Sequence, residues 1–165
     1  GRILEQYSRW GHQKKQNKAV IVYDTMWGST AKMAGVISEG LLAGGVKDIK
    51  VMPMHGSNRS DVATEVLEAA GLVVGSPTIN NQMFPTLADV LCYLKGLKPQ
   101  NLVGGVFGSY GWSGEGAKDI AGILAEMKVD LVGDPINIKY VPDQAALQQC
   151  REFGIRIAEK IKTVI

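Results

Sequence analysis

The sequence predicts a doubly wound α/β domain, with five parallel strands and helices on both faces. Two observations carry this. Short apolar, β-branched runs of strand length alternate with longer stretches of helical period along all 165 residues. Several of those runs are apolar throughout, as strands buried on both faces are. A third feature bears on use: Asp24-Thr25-Met26-Trp27-Gly28-Ser29-Thr30 places hydroxyls and a glycine between the first strand and the first helix. Helix-opening N–H groups lack intrahelical partners and sit at the positive end of the dipole, so such a junction can hold an anion.

The first strand is Ala19-Val20-Ile21-Val22-Tyr23. Ala31 to Leu42 then repeats Met33, Ile37 and Leu41 every four residues, the buried side of a helix, and Gly44-Gly45 closes it. Ile49 to Met54 alternates as a second strand, at an edge where Pro53 is tolerated. Ser60-Asp61 caps a helix through Ala70, with Val62, Val66 and Leu67 inward. Gly71 to Gly75 is short and apolar, hence a central third strand. Pro85 opens a helix at the position proline favours, and Leu87, Val90, Leu91 and Leu94 line its inner face. Leu102 to Phe107 is the fourth strand. Ser113 to Met127 is a helix buried through Ala117, Ile120, Ala121 and Leu124. Asp130 to Ile138 is the fifth strand, and Asp143 to Ile165 a closing helix facing inward through Leu147, Cys150, Gly154, Ile157 and Ile161.

Composition narrows the function. A net charge of +2 and the lack of an arginine-rich run argue against nucleic acid. No apolar run reaches the ~20 residues of a membrane span, and no signal peptide is visible. Cys92 and Cys150 lie far apart, and His12 and His55 are the only histidines, so no metal site or disulfide framework is expected. A reducing cytoplasm follows as the default. The chain begins Gly1-Arg2 without an initiator Met, and Ile3, Tyr7 and Trp10 share one helical face ahead of a basic stretch. Residues 1–18 are therefore read as a leader or linker from a missing upstream domain, and residues 19–165 as the folded domain. The leader could equally pack on this domain's own flank.

Open α/β sheets bind ligands beyond the carboxyl ends of their strands, where strand order reverses. The loops after strands one, three and four should converge there. The first has no Lys or Arg, no Gly-Lys-Ser/Thr ending and no Gly-x-Gly-x-x-Gly, so only backbone and hydroxyl donors could neutralise a phosphate. An ordinary turn capped by Ser29 or Thr30 reads the same residues equally well. The second, Ser76-Pro77-Thr78-Ile79-Asn80-Asn81, continues to Pro85 with amides and hydroxyls but no charge, suited to a flat heterocycle bearing donors and acceptors. The third, Ser109-Tyr110-Gly111-Trp112-Ser113-Gly114, sets two aromatics among glycines. Trp112 alone could be core or a stacking residue; convergence of the three loops favours stacking.

Together these three loops resemble the FMN domain of the flavodiiron proteins (A-type flavoproteins), from about Ala19 to the C-terminus. The resemblance implies a flavodoxin-like sheet of strand order 2-1-3-4-5. It implies FMN with its phosphate on Thr25, Met26, Trp27, Gly28, Ser29 and Thr30. Ser76, Pro77, Thr78, Ile79, Asn80 and Asn81 would line the isoalloxazine and ribityl chain, and Ser109, Tyr110, Gly111, Trp112, Ser113 and Gly114 would close over the ring. Thr25 and Thr30 would be the main phosphate hydroxyls and Trp112 the stacking residue, with Trp27 as the alternative wall. Asp24 could cap its own turn without touching ligand. With no acid in the middle loop, flavin reduction should be less penalised than in acidic carrier flavodoxins.

In this family electrons arrive from rubredoxin or a similar donor and pass to a di-iron centre on a neighbouring subunit, which reduces O2 or NO. The resemblance thus implies an electron-transfer module without catalytic residues of its own, from a parent oxidoreductase that is a homodimer or homotetramer. The di-iron domain lies outside this sequence. Three alternatives share the layout. A free-standing flavodoxin is usually strongly acidic, and this chain is not. A flavin-dependent quinone or nitro reductase would need a hydride donor. A phospho-acceptor receiver would need an acidic cluster after strand one and an acceptor Asp where Ser76 stands; Lys139 is the one residue it could claim.

Overall fold

A computed structural model describes residues 2–5 and 15–165 of the chain. Tyr7 and Trp10 of the expected leader face lie outside the described residues. Residues 2–5 form a helical turn on which Ile3 and Leu4 are exposed.

Strand β1 (Gln16–Tyr23) starts three residues earlier than its apolar run and includes Lys18. That lysine is buried and neutralised by Glu65, Glu68 and Asp48, which makes its place in a strand tolerable. Strands β2 (Asp48–Pro53), β3 (Ala69–Pro77), β4 (Val103–Tyr110) and β5 (Asp130–Leu131) join β1 in a parallel sheet of order β2-β1-β3-β4-β5. This is the expected doubly wound topology, with order reversing between β1 and β3.

The fifth position departs from the single strand expected over 130–138. It is filled by β5 (Asp130–Leu131) and β6 (Ile136–Lys139), both paired with β4. Between the pairings Gly104↔Leu131 and Phe107↔Ile136, the edge contains two more residues than β4 does. Gly133, at φ 69°, and Pro135 interrupt the ladder there.

Helices α1 (Ser29–Ala43) and α5 (Gln144–Ile161) cover one face; α2 (Arg59–Glu68), α3 (Pro85–Leu97) and α4 (Glu115–Glu126) cover the other. Alternation along β1 feeds both cores. Ala19 and Ile21 meet Met33, Ile37, Phe153 and Ile157, while Val20 and Val22 meet Val62, Leu87 and Leu91. Helices α1 and α5 pack at backbone contact: a Cβ on Gly154 would lie 2.4 Å from the Ile37 carbonyl oxygen. Leu67, Ala121 and Leu147, expected inside, are half-buried; Ala63, Gly116 and Phe153 are buried on those helices.

Element ends shift in ways that matter for the site. Helix α2 is capped by Asn58, whose Oδ1 accepts the Asp61 N–H at 2.9 Å, and not by Ser60 or Asp61. It also ends at Glu68, because Ala69 and Ala70 already belong to β3. Strands β3 and β4 continue past their last large apolar residues, so Ser76, Pro77, Ser109 and Tyr110 are strand rather than loop. Cys150 is buried, with its thiol pushed up to about 11 by that burial, and Cys92 is exposed; both are free thiols. No helix among the described residues is long and apolar enough to cross a membrane.

Candidate functional site

The turn after β1 is built from its own polar groups. Asp24 is buried; its Oδ1 accepts the Thr25 N–H at 2.8 Å and its Oδ2 accepts the Thr86 hydroxyl at 2.7 Å. It closes its own turn and also ties that turn to the start of α3. His55 Nδ1 lies 3.7 Å from Asp24 Oδ1. Thr25 Oγ1 accepts the Gly28 N–H at 3.0 Å, which draws residues 25–28 into a tight loop.

Gly28 is the N-cap of α1, at φ 88°, a conformation that disfavours any L side chain. This corrects the expectation that Ser29 or Thr30 caps the helix. Glycine has no side chain to cap the helix, so no cap hydrogen bond from that position covers the first-turn N–H groups. Elsewhere the chain does supply a cover: Asn58 caps α2, and Asp143 caps α5 by accepting the Ala146 N–H at 2.8 Å. In helices α1, α3 and α4, which follow the three central strands, the cap residue itself makes no side-chain cap bond. Thr30 is fully buried, its Oγ1 3.0 Å from Ser109 Oγ, so the first loop is tied directly to the end of β4.

The middle loop is rigid and uncharged. Ser76 Oγ donates to the Pro77 carbonyl at 2.7 Å and accepts the Phe84 N–H at 3.0 Å, joining the loop's two ends. Ile79 and Gln82 exchange backbone bonds of 2.8 and 2.9 Å around Asn80 and Asn81, at φ 48° and 61°. Two central residues of positive φ define a type I′ turn, and asparagine tolerates that region. Thr78 donates its N–H to the Ser109 carbonyl at 2.9 Å, and its Oγ1 accepts the Gly116 N–H at 3.1 Å.

The third loop is pinned at its far end. Ser113 Oγ donates to Asn81 Oδ1 at 2.7 Å, and Asn137 Nδ2 donates to the Gly114 carbonyl at 2.9 Å. The Ser113 hydroxyl and the backbone N–H of Glu115 hold the exposed Glu115 carboxyl below the usual carboxylate range. Trp112 at the loop's crest is 97% exposed and Trp27 across from it 88% exposed, so neither is core.

Between these loops lies a cleft of about 470 Å³, within the size range of small-molecule sites. Nine of the sequence-derived residues line it: Met26, Trp27, Ser29, Pro77, Thr78, Ser109, Tyr110, Gly111 and Trp112. Thr25, Gly28, Thr30 and Ser76 stand behind it and shape its walls, while Ile79, Asn80, Asn81, Ser113 and Gly114 lie beyond the lining and lock the loops to one another. Among the described residues, no Asp, Glu, Lys, Arg or His lines it. Two lining residues, Tyr140 and Val141, come from a fourth loop that sequence reasoning passed over. Their signal was an aromatic and a β-branched residue together at a strand end, just before Pro142. A larger hollow of about 1240 Å³, among Lys95, Lys98, Lys128 and Val164, opens at the amino edge of the sheet. None of the three loops reaches it, and ligands of open α/β sheets sit at the other edge.

Comparison with known proteins places this geometry in context. A family model described as Flavodoxin matches residues 21–154. The chain is 44% identical over 162 residues to the nitric oxide reductase of Moorella thermoacetica, covering 98% of this chain and 40% of that protein. It superposes with TM-score 0.93 and 41% identity on rubredoxin oxygen:oxidoreductase from Desulfovibrio gigas, over 96% of this chain and 39% of the other. On the flavodiiron protein of Giardia intestinalis the TM-score is 0.91 at 29% identity, over 97% of this chain and 40% of the other. The chain thus spans about 40% of the length of these relatives.

Proposed function

The chain belongs to the flavodoxin family, as the flavodoxin-like domain of the flavodiiron proteins, and on that premise we propose that it is an FMN-binding electron-transfer module. FMN is the cofactor of this domain type. The observation that carries the reading is a cleft with two exposed tryptophans at its mouth and an uncapped helix start on its wall.

The residues present fit the cofactor. Ser29 borders the cleft at the first turn of α1, where N–H groups without side-chain cover suit a phosphate. Thr25 shapes that turn through Gly28, and Thr30, bonded to Ser109, anchors it from behind. Both therefore act on the phosphate site chiefly through its shape. Pro77 and Thr78 offer a fixed, uncharged wall to the ring system, and Thr78 holds that wall to β4 and α4. Trp27 and Trp112 exclude water from the ring faces and gain burial themselves. Bound FMN supplies one- and two-electron transfer; the chain supplies position, a dry surface and a cleft without acidic lining.

The same reading extends to the parent protein. Electrons come from rubredoxin or a similar donor and pass to a di-iron centre carried by another domain, on a neighbouring subunit of a homodimer or homotetramer, where O2 or NO is reduced. The names of the Moorella and Desulfovibrio relatives support the rubredoxin-type donor and the O2 or NO acceptor. Residues 1–18 serve as the connection from that domain, and the setting is cytoplasmic. Photoreduction of the FMN-loaded chain, followed by mixing with a one-electron acceptor such as ferric cytochrome c, tests the module. Rapid electron transfer without NAD(P)H consumption is expected. Steady NAD(P)H turnover by the chain alone would point to a reductase instead.

A further inference from the structure

Six residues other than glycine have positive φ among the described residues: Asn80, Asn81, Lys98, Asn101, Lys128 and Tyr140. Three are asparagines, which tolerate the left-handed region, and Lys98 and Lys128 sit where α3 and α4 end. Tyr140, at φ 62°, has neither excuse. A bulky aromatic residue in that region is disfavoured and persists only where its surroundings impose it.

The imposing contacts can be named. The two extra residues before β6 set its register so that Lys139 pairs with Tyr110. The next N–H, that of Tyr140, then donates to the Tyr110 carbonyl at 2.7 Å. That bond holds the residue at the rim of the cleft. Its ring lies beside Gly111, where an added Cβ would meet Tyr140 Cε1 at 3.8 Å, and the Lys139 ammonium stands 5.2 Å from the ring centroid. Yet the residue is 63% exposed, so little of the ring is repaid by packing in the core. Strained residues of this kind cluster at active sites and ligand clamps, and a solvent-facing aromatic on the border of a cleft has a face free to meet a ligand.

We propose that Tyr140 is a fourth-loop binding residue for the flavin ring, kept in a disfavoured backbone conformation so that its aromatic face meets the ligand. The proposal rests on the FMN reading above and adds an element outside the three loops that the sequence singled out. It also separates ring recognition from phosphate recognition, because Tyr140 follows β6, which pairs with β4 on the edge opposite β3 and away from the strand that leads into α1.

Tyr140→Asn tests it, since asparagine keeps the N–H and suits positive φ while removing the ring; Tyr140→Gly is a second ring-less variant, and Tyr140→Phe keeps the ring. Affinities for FMN and riboflavin and the melting temperature of the ligand-free chain are measured for each. Both ring-less variants should melt no lower than wild type without ligand, yet bind FMN and riboflavin each about tenfold more weakly. Tyr140→Phe should stay within about twofold of wild type. Unchanged FMN affinity in Tyr140→Asn would overturn the proposal, as would a lower ligand-free melting temperature in both ring-less variants, which would make the ring structural. Failure of wild type itself to bind FMN would instead remove the underlying reading, and this proposal with it.

Discussion

Replacing Ser29 with aspartate sets two effects of the same charge against each other. Ser29 is the first residue of α1, half-buried, on the cleft wall, and its helix has no side-chain cap. In the free protein a carboxylate there meets the positive end of the helix dipole, worth about 0.5 kcal/mol. For a domain of this size that raises the melting temperature by about 1–2 °C. With a phosphate dianion bound, the same carboxylate repels it. At a separation of about 6 Å and an effective dielectric near ~40, each negative charge contributes about 1.4 kcal/mol, giving about 2–3 kcal/mol in all. FMN should therefore bind about a hundredfold more weakly. Riboflavin, which lacks the phosphate, should lose less than about threefold. Calorimetric titration of both ligands at low ionic strength, alongside a thermal melt, reads all three quantities. Equal weakening of FMN and riboflavin, or unchanged FMN affinity in a stabilised variant, would refute the placement of the phosphate at α1.

Trp112→Ala should leave the ligand-free melting temperature within about 1–2 °C, because an exposed side chain contributes little to the fold, but weaken FMN and riboflavin alike by about tenfold in a fluorescence titration. Gly154→Ala pushes a methyl group against the Ile37 carbonyl and the Leu41 N–H of α1, both backbone, so a loss of about 1–3 kcal/mol and several degrees of melting temperature is expected, with FMN affinity unchanged in the folded protein. Lys15 has a buried ammonium without a hydrogen-bond partner among the described residues, and burial lowers its pKa to about 8. Its unfolded value is about 10.4, so the unfolded chain binds the proton more tightly. The penalty is full below about pH 8 and fades as pH rises toward ~10. Lys15→Met should thus melt higher than wild type at pH 7, with an advantage that shrinks in melts taken from pH 8 to 10.

Much of this was legible from residue pattern. The apolar runs around Val20, Val73 and Val106 announce buried strands, and the spacing of Met33, Ile37 and Leu41 or of Leu87, Leu91 and Leu94 announces the helices that cover them. What the pattern could not supply was where polar strand ends stop. Ser76 and Ser109 read as loop because they are polar, yet both are ladder residues, held by pairing with a neighbour that no local window contains. The cap of α2 was ambiguous for a related reason: Asn58, Ser60 and Asp61 are all capping types, and the choice depends on how the chain leaves Gly56. The break in the fifth strand has a local signal, Gly133-Asp134-Pro135, that the reading of one strand over 130–138 passed over. Its consequence has no local signal, because the bulge acts through the alignment of Lys139 with Tyr110, which brings the Tyr140 N–H to the Tyr110 carbonyl across the sheet. At the candidate site the three loops lie side by side; which of their residues face the cleft and which brace it is decided by long-range bonds such as Thr30 to Ser109 and Asn81 to Ser113.

Titration of the ligand-free chain with FMN, following tryptophan fluorescence, is the most direct test. Saturable quenching at one equivalent is expected as Trp27 and Trp112 are covered, together with a higher melting temperature, and Trp112→Ala should remove part of the quenching. Fluorescence and melting temperature that stay unchanged at excess FMN would contradict the assignment of this cleft as the flavin site.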